Sequence, residues 1–396
     1  MGTKATLPRR ALVVAVVTGV AGGVLAMAPA QAAKPQATAL AGDAQTYFAG
    51  ENALRVGTTG AAAKTTEAAR ELAVTEAFAK VREDRLTARK QQKQIADRAG
   101  TEFTSAETNV VPAGAVRADG DTAKLRVEER TSFTYAQGQA DPYAYRARHD
   151  LTFTRDGGQW RLAAVHTPDA SGLSVPKKLS PAQLDRAEQT ADTMRTALAK
   201  NAAKRAAANK TRMAGGGQTT KAAKAAGYDY RAMVDWALRY ALEDRDKLPY
   251  TPDENDCTTF VSWALRTGGW EEVSGYYTND DAWWWKDWCD GEWYCKPQHS
   301  YTFGGAPNFQ RFAVNESERV TNLGNVWDVL LADVVQYDVP NYGEEHEPGH
   351  TMMVTDFSGT MPLLSYHSSP DGERKNKPLI DILTGNEGQD FWAYRT

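Results

Sequence analysis

The spacing of apolar and polar positions changes character several times along this 396-residue chain. From about Thr65 to Arg98 the apolar side chains Leu72, Phe78, Val81 and Leu86 sit among charges in a pattern that predicts a helix. From Glu102 the period becomes two. Leu125, Val127, Phe133 and Tyr135 fall on alternating positions, as do His149, Leu151 and Phe153, and Asp156-Gly157-Gly158 marks a tight turn into Trp160 to His166. This predicts an antiparallel meander of three to five strands behind a helix. Between 171 and 226 large apolar residues become scarce, and an Ala/Lys-rich helical run from about Pro181 to Asn209 stops at Gly215-Gly216-Gly217. Such a stretch cannot offset its ordering entropy with a core of its own, which predicts a partly helical linker. Amphipathic spacing returns from Tyr230 to about Asp244 and from Asn255 to Arg266, the latter closed by Gly268-Gly269, and strands are expected from Leu330 onward.

A chain this long exceeds one typical core. The expected architecture is α+β, with an N-terminal helix-plus-meander domain over 33–170, a linker over 171–226 and a second α+β domain over 227–396. The first of these is loosely similar to the cone-shaped nuclear-transport-factor-like modules. Its His149 and His166 read as ordinary strand residues. Charge adds little: 46 basic against 50 acidic side chains leave a net charge of −4. That balance gives no long-range reason to expect nucleic acid or an anionic membrane as partner. No pattern fixes an oligomeric state.

The first 32 residues read as a signal peptide. Lys4, Arg9 and Arg10 precede an apolar run from Ala11 to about Ala28, and Ala30-Gln31-Ala32 resembles a small-residue cleavage site. An uninterrupted membrane span needs ~20 apolar residues, whereas this run carries Thr18 and three glycines before Pro29. The expectation is a secreted or envelope-associated protein with no integral membrane span after cleavage. In an oxidising compartment three cysteines cannot all pair within one chain. Cys289 and Cys295 flank the turn-forming Asp290-Gly291 and are the expected disulfide, which leaves Cys257.

Cys257 follows Asn255-Asp256, side chains suited to capping the first turn of a helix and bordering an oxyanion site there. Free amides and the helix dipole in that turn favour a thiolate, so the thiol pKa is expected to fall toward neutrality. A base is available in Gly349-His350-Thr351, which opens a strand. If Ser358-Gly359 forms a two-residue hairpin loop, paired positions sum to 717 and His367 lies opposite His350 on one sheet face, where it can orient the imidazole; a four-residue loop leaves the two diagonal and still within reach, and a three-residue loop breaks the arrangement. Ser365 is a weaker candidate for that role. Asp356 is a poor substitute, since six strand residues carry it about 20 Å from His350. The residues His346-Glu347-Pro348-Gly349-His350 also match H-E-x-x-H, but zinc binding there needs both histidines on one helical turn, and Pro-Gly breaks helices. A metal site from Cys289, Cys295 and His299 has suitable ligand types; disulfide pairing is preferred on compartment.

With these residues in hand, positions 227–396 resemble the putative amidase domain family, exported bacterial members of the papain-like, NlpC-type cell-wall hydrolase superfamily. The carriers are Tyr240-Ala241, Tyr250, Asp256-Cys257-Thr258, Phe260-Val261-Ser262, Gly268-Gly269-Trp270, Asp333 to Asp338, Gly349-His350 and His367. The resemblance implies a papain-like domain, Cys257 as nucleophile, His350 as base, His367 at the orienting position, no metal or organic cofactor, and cell-wall peptide or another amide as substrate. Thr259 and Trp263 depart from the family pattern, which has Asn and a polar residue at those places. The run Trp283-Trp284-Trp285 reads as core filling. A non-catalytic envelope-binding module with the same fold is the alternative function.

Overall fold

The Ala-rich stretch ahead of the first predicted helix is itself helical in the computed structural model, which describes residues 35–136, 140–168, 176–214, 227–286, 298–339, 346–368 and 372–396. This helix, α1 (Ala37–Val56), buries Leu40, Tyr47, Phe48 and Leu54. The charged pattern that follows forms two helices, α2 (Gly60–Glu71) and α3 (Glu76–Arg98). The break falls at Thr75, whose hydroxyl caps α3 by accepting the Phe78 amide at 3.3 Å. Glycine at position 50 lets α1 and α2 cross closely, because a methyl group there would collide with the Ala69 side chain.

The predicted meander comprises β1 (Phe103–Pro112), β2 (Arg117–Asp119), β3 (Thr122–Tyr135), β4 (Tyr143–Asp156) and β5 (Gln159–His166), all paired antiparallel. The turn into β5 pairs Asp156 with Gln159 across Gly157 and Gly158. Both glycines have positive φ, 57° and 86°. A two-residue hairpin loop of this hand requires that conformation, which residues with a Cβ adopt at a steric cost.

The span expected to be a linker is largely helical and packed. Helices α4 (Pro181–Lys200) and α5 (Ala202–Met213) follow a capping box between Ser180 and Gln183. Ala187, Ala191, Met194 and Leu198 are buried in the central core. A stripe at three- and four-residue spacing is enough to dock a helix, and alanine lets it come close. Overall composition concealed that stripe.

Next come α6 (Tyr230–Tyr240), α7 (Cys257–Thr267), the short α8 (Tyr301–Gly304) and α9 (Ala306–Gln310), and α10 (Leu379–Gly385). The remaining strands are β6 (Trp285–Lys286), β7 (Gln298–His299), β8 (Thr321–Asn322), β9 (Val334–Tyr337), β10 (His350–Ser358), β11 (Met361–His367), β12 (Gly372–Pro378) and β13 (Phe391–Arg395). Among the described residues eleven strands form one sheet, ordered β1-β3-β4-β12-β11-β10-β9-β13-β8, with β2 on β3 and β5 on β4; β6 and β7 pair separately. The sheet runs across the boundary expected between 170 and 227, because β4 pairs with β12 from Ala147↔Gly372 to Ala144↔Lys375. Arg146 bonds Glu373 at 2.9 Å, Arg55 bonds Asp381 at 2.8 Å, and the Tyr135 hydroxyl donates to the Asn376 carbonyl at 2.6 Å across the same junction. Residues 35–396 form one compact unit of mixed helix and antiparallel sheet, an α+β architecture. No helix among the described residues is long and apolar enough to cross a membrane.

The C-terminal strands have two differently covered faces. Val334, Met353 and Tyr394 pack with α6 and α7, whereas Val335, Tyr337, Met352, Val354 and Tyr366 pack with α4 and α10.

Candidate functional site

Cys257 is the first residue of α7, as its sequence context predicts, and it is buried. Its sulfur lies 3.7 Å from the Thr258 hydroxyl, and the backbone amides of Thr258 and Thr351 favour its thiolate form. The Thr258 and Thr351 hydroxyls are 2.8 Å apart, and Gln336 Nε2 donates to Thr351 Oγ1 at 2.9 Å. The first turn of α7 is thereby tied to the start of β10, one residue beyond His350.

The electrostatics differ from the expectation of a thiol pulled toward neutrality. Burial pushes the Cys257 thiol up to about 11; the hydrogen bonds from Thr258 and the Thr351 amide offset this only in part, and the charge of Asp256 adds to it. Loss of water outweighs the helix terminus here, since a partial charge worth about 1 kcal/mol cannot replace the hydration of a buried anion.

Asp256 occupies the N-cap position of α7, but its carboxylate makes no capping bond. Instead Oδ2 accepts the Tyr250 hydroxyl at 2.7 Å and faces His367 Nδ1 at 2.9 Å, while Oδ1 accepts Arg245 Nη1 at 3.1 Å. Burial opposes ionisation of Asp256, but His367, Arg245 and the Tyr250 hydroxyl together hold its carboxyl below the ordinary range. His367 Nε2 meets the Tyr240 carbonyl at 3.1 Å, and the ring packs on Phe260 with centroids 4.3 Å apart. Burial disfavours its imidazolium form, yet the Asp256 carboxylate prevails and raises its pKa. With acceptors at both ring nitrogens, the doubly protonated imidazole fits the site. Asn255, the other expected cap, has a buried Oδ1 with no protein hydrogen-bond partner.

His350 is buried at the start of β10, directly opposite Tyr337 in the sheet. Its ring lies 5.4 Å from that of Tyr337 and 4.9 Å from that of Tyr366. Both tyrosines belong to the face covered by α4 and α10, whereas Thr351 and His367 point toward α7. The two imidazoles therefore lie on opposite faces, and the pairing in which positions sum to 717 is corrected. The hairpin turns at Gly359-Thr360, with Ser358 opposite Met361, and the register then shifts between Val354 and Asp356 so that Met353 opposes Ser365. Continuing that register sets Thr351, not His350, against His367. A one-residue bulge exchanges the faces of every side chain beyond it. Ser365 does not reach His350 either: its hydroxyl meets that of Thr355 at 2.7 Å and accepts the Asn376 amide at 3.0 Å.

The H-E-x-x-H residues form a turn followed by a strand, with His346 at φ 65° and bonded through Nδ1 to Asp390 at 2.6 Å. They lack the helix that zinc ligation by this motif requires. His299 Nε2 meets Asp253 Oδ2 at 2.7 Å. Cys289 and Cys295 lie outside the described residues, as does the segment read as a signal peptide. Trp283, Trp284 and Trp285 are buried, in keeping with core filling. Trp263 stacks on Tyr250 at 5.7 Å and Thr259 is fully buried. Sequence reasoning did not find Arg245 or the Asp256–His367 bond, which joins residues 111 positions apart. Tyr250 was legible only through the family pattern.

Residues 227–394 match the family model described as "Putative amidase domain". This supports membership of that segment in the amidase-domain family and amide hydrolysis as the class of activity it suggests. The uncharacterized protein YjcM of Bacillus subtilis (strain 168) is 29% identical over 174 residues, which are 43% of this chain and 37% of that protein. The chain thus matches little more than a third of that relative's length. Among solved structures, the Kfla4162 protein from Kribbella flavida aligns over 36% of this chain and 99% of its own at 18% identity, with a TM-score of 0.20.

Proposed function

We propose that the chain is an exported, cysteine-dependent amide hydrolase acting on cell-wall peptide or a related amide. The observation that carries this reading is Cys257 at the first turn of α7, in a turn tied through Thr258 to Thr351, the residue that follows His350, inside the segment matching an amidase domain. In the proposed mechanism the Cys257 sulfur attacks the amide carbonyl and the oxyanion is held by first-turn backbone amides, which have no intrahelical acceptors. His350 takes the thiol proton, gives it to the leaving amine and then activates the water that releases the acyl group. The His350 ring packs against Tyr337 and Tyr366 on the sheet face away from α7, so turnover on this reading requires a rearrangement at the start of β10 that brings the ring to the sulfur and admits substrate. No metal or organic cofactor enters these steps. Export rests on the residues from Lys4 to Ala32.

The test is release of new amino groups from purified bacterial cell-wall peptide by the full chain. Loss of release in both Cys257→Ala and His350→Ala, with trapping of an acyl group on Cys257 seen by mass spectrometry, is the expected result. Activity that survives Cys257→Ala defeats the reading, and activity that survives His350→Ala defeats the choice of base. A non-catalytic envelope-binding module is the second reading, favoured by the burial of Cys257 and its thiol at about 11. It predicts cell-wall binding with no amine released under any condition.

A further inference from the structure

The described surface exposes few large apolar side chains, and three of them are neighbouring tyrosines. Tyr276 is 63% exposed, Tyr277 40% and Tyr301 49%. The rings of Tyr276 and Tyr277 are 4.6 Å apart, and those of Tyr277 and Tyr301 are 5.3 Å apart, edge to face. Exposed aromatics gathered in one patch are uncommon on a surface that binds nothing, because each leaves apolar area in water.

The patch is held on a buried frame. Val273 and Trp283 exchange backbone hydrogen bonds at 2.7 and 2.9 Å, closing the segment that carries Tyr276 and Tyr277. Trp284 Nε1 donates to the Gly275 carbonyl at 3.0 Å, and the Tyr301 amide donates to the Tyr277 carbonyl at 2.7 Å. Gly275 allows this closeness, since a Cβ there would sit 2.7 Å from that of Ala282. The tyrosines are therefore fixed before any partner arrives, which lowers the ordering entropy of binding. Two residues before Tyr301, His299 bonds Asp253, four residues ahead of Cys257. The platform thus adjoins the loop that leads into the proposed nucleophile.

The chemistry of the patch selects its partner. Its exposed apolar groups are phenol rings with polar tips, which offer an apolar face together with a hydrogen-bonding edge. Asn279 and Asp281 are exposed in the same loop, and Asp280 pairs with Arg311 at 3.2 Å. The Asp281 carboxylate in this loop disfavours phosphate-bearing polymers, and with the Asn279 amide it suits hydroxyl donors. A pyranose ring presents both features: an apolar face of C–H groups that stacks on aromatic rings, and a rim of hydroxyls. We propose that Tyr276, Tyr277 and Tyr301 form a saccharide-binding platform that takes the uncharged sugar rings of a glycan chain. It rests on the proposed hydrolase reading only in naming the cell-wall glycan as the natural source of those rings.

The experiment titrates the full chain carrying Cys257→Ser with N-acetylglucosamine oligomers, which contain no peptide, and follows heat release. It is repeated with Tyr276→Ala/Tyr277→Ala/Tyr301→Ala, and circular dichroism confirms that the variant folds. The expected result is saturable binding weakened about tenfold or more in the triple variant, the loss typical of removing aromatic anchors. Equal affinity in the two proteins, or no binding by either, overturns the proposal. So does a shift from dimer to monomer in the triple variant by sedimentation, since the patch would then join two copies. The glycan contains no scissile peptide and the nucleophile is absent, so a failed amidase test and a failed titration are separate results.

Discussion

Replacing Asp256 by asparagine removes one charge from the most densely bonded group beside Cys257 and leaves its shape nearly unchanged. The carboxylate is buried and takes Tyr250 and His367 on one oxygen and Arg245 on the other. An asparagine keeps a single acceptor, and its amide protons face at least one of these donors. Breaking a buried ion pair by removing one partner costs about 3–5 kcal/mol; the lower end applies here, because His367 can shed its proton once the carboxylate is gone. The pH dependence distinguishes this account from a general loss of packing. His367 has its pKa raised from 6.5 in the fold, so the stability it contributes is fully present below pH 6.5 and is lost as pH rises through its folded value. Asp256 has its pKa lowered from 3.8, so its contribution is present above that value and is lost as pH falls through the folded one. The gap between wild type and Asp256→Asn should therefore be widest between about pH 4 and 6.5 and narrow as pH rises through the folded pKa of His367. Urea unfolding followed by circular dichroism at pH 5, 7 and 9 measures it. A loss below about 1 kcal/mol at pH 5, or a gap that widens with pH, refutes the reasoning.

Two further outcomes follow from the same region of the fold. With its thiol moved from 9.0 to about 11, buried Cys257 has about 100-fold less thiolate at pH 7 than an unfolded cysteine. Iodoacetamide should accordingly label the native chain at least that much more slowly than a urea-unfolded control, and equal rates contradict the buried state. Gly349→Ala should destabilise by about 1–3 kcal/mol, because a Cβ there meets Val339 Cβ at 2.8 Å and its backbone nitrogen at 3.0 Å, just ahead of His350. An unchanged urea midpoint for that variant would show that the start of β10 yields easily.

What could be read from the sequence depended on how local its cause is. The meander was legible because alternation and a Gly-Gly turn are settled within a few residues, as was the N-terminal place of Cys257 in α7. The docking of α4 was not, although its stripe of Ala187, Ala191, Met194 and Leu198 is a local pattern. Counting large apolar residues undervalued alanine, whose small side chain permits close packing instead of supplying much buried area. The partners of Asp256 were hidden for a different reason: a helix-capping role is a local preference, and a histidine from a distant strand with a tyrosine and an arginine from the preceding loop overrode it.

The placement of the two histidines turns on a single extra residue. Between Val354 and Asp356 the β10–β11 register slips by one, and the β11–β12 register slips again between Leu364 and Tyr366. The two shifts meet at one buried polar knot. The Thr355 hydroxyl bonds both Ser365 Oγ and Asn376 Oδ1, at 2.7 and 2.8 Å, and Asn376 holds a left-handed φ of 56°. Each group satisfies another, so the knot can be buried where an unpaired hydroxyl or amide could not. Without the slip, the 719 register of the hairpin end would carry His367 to the diagonal of His350 on the same face. With it, His367 turns to Asp256 and fixes the loop before Cys257, while His350 is left between Tyr337 and Tyr366. The knot, rather than the hairpin turn, thus decides which imidazole meets the helix that begins at Cys257.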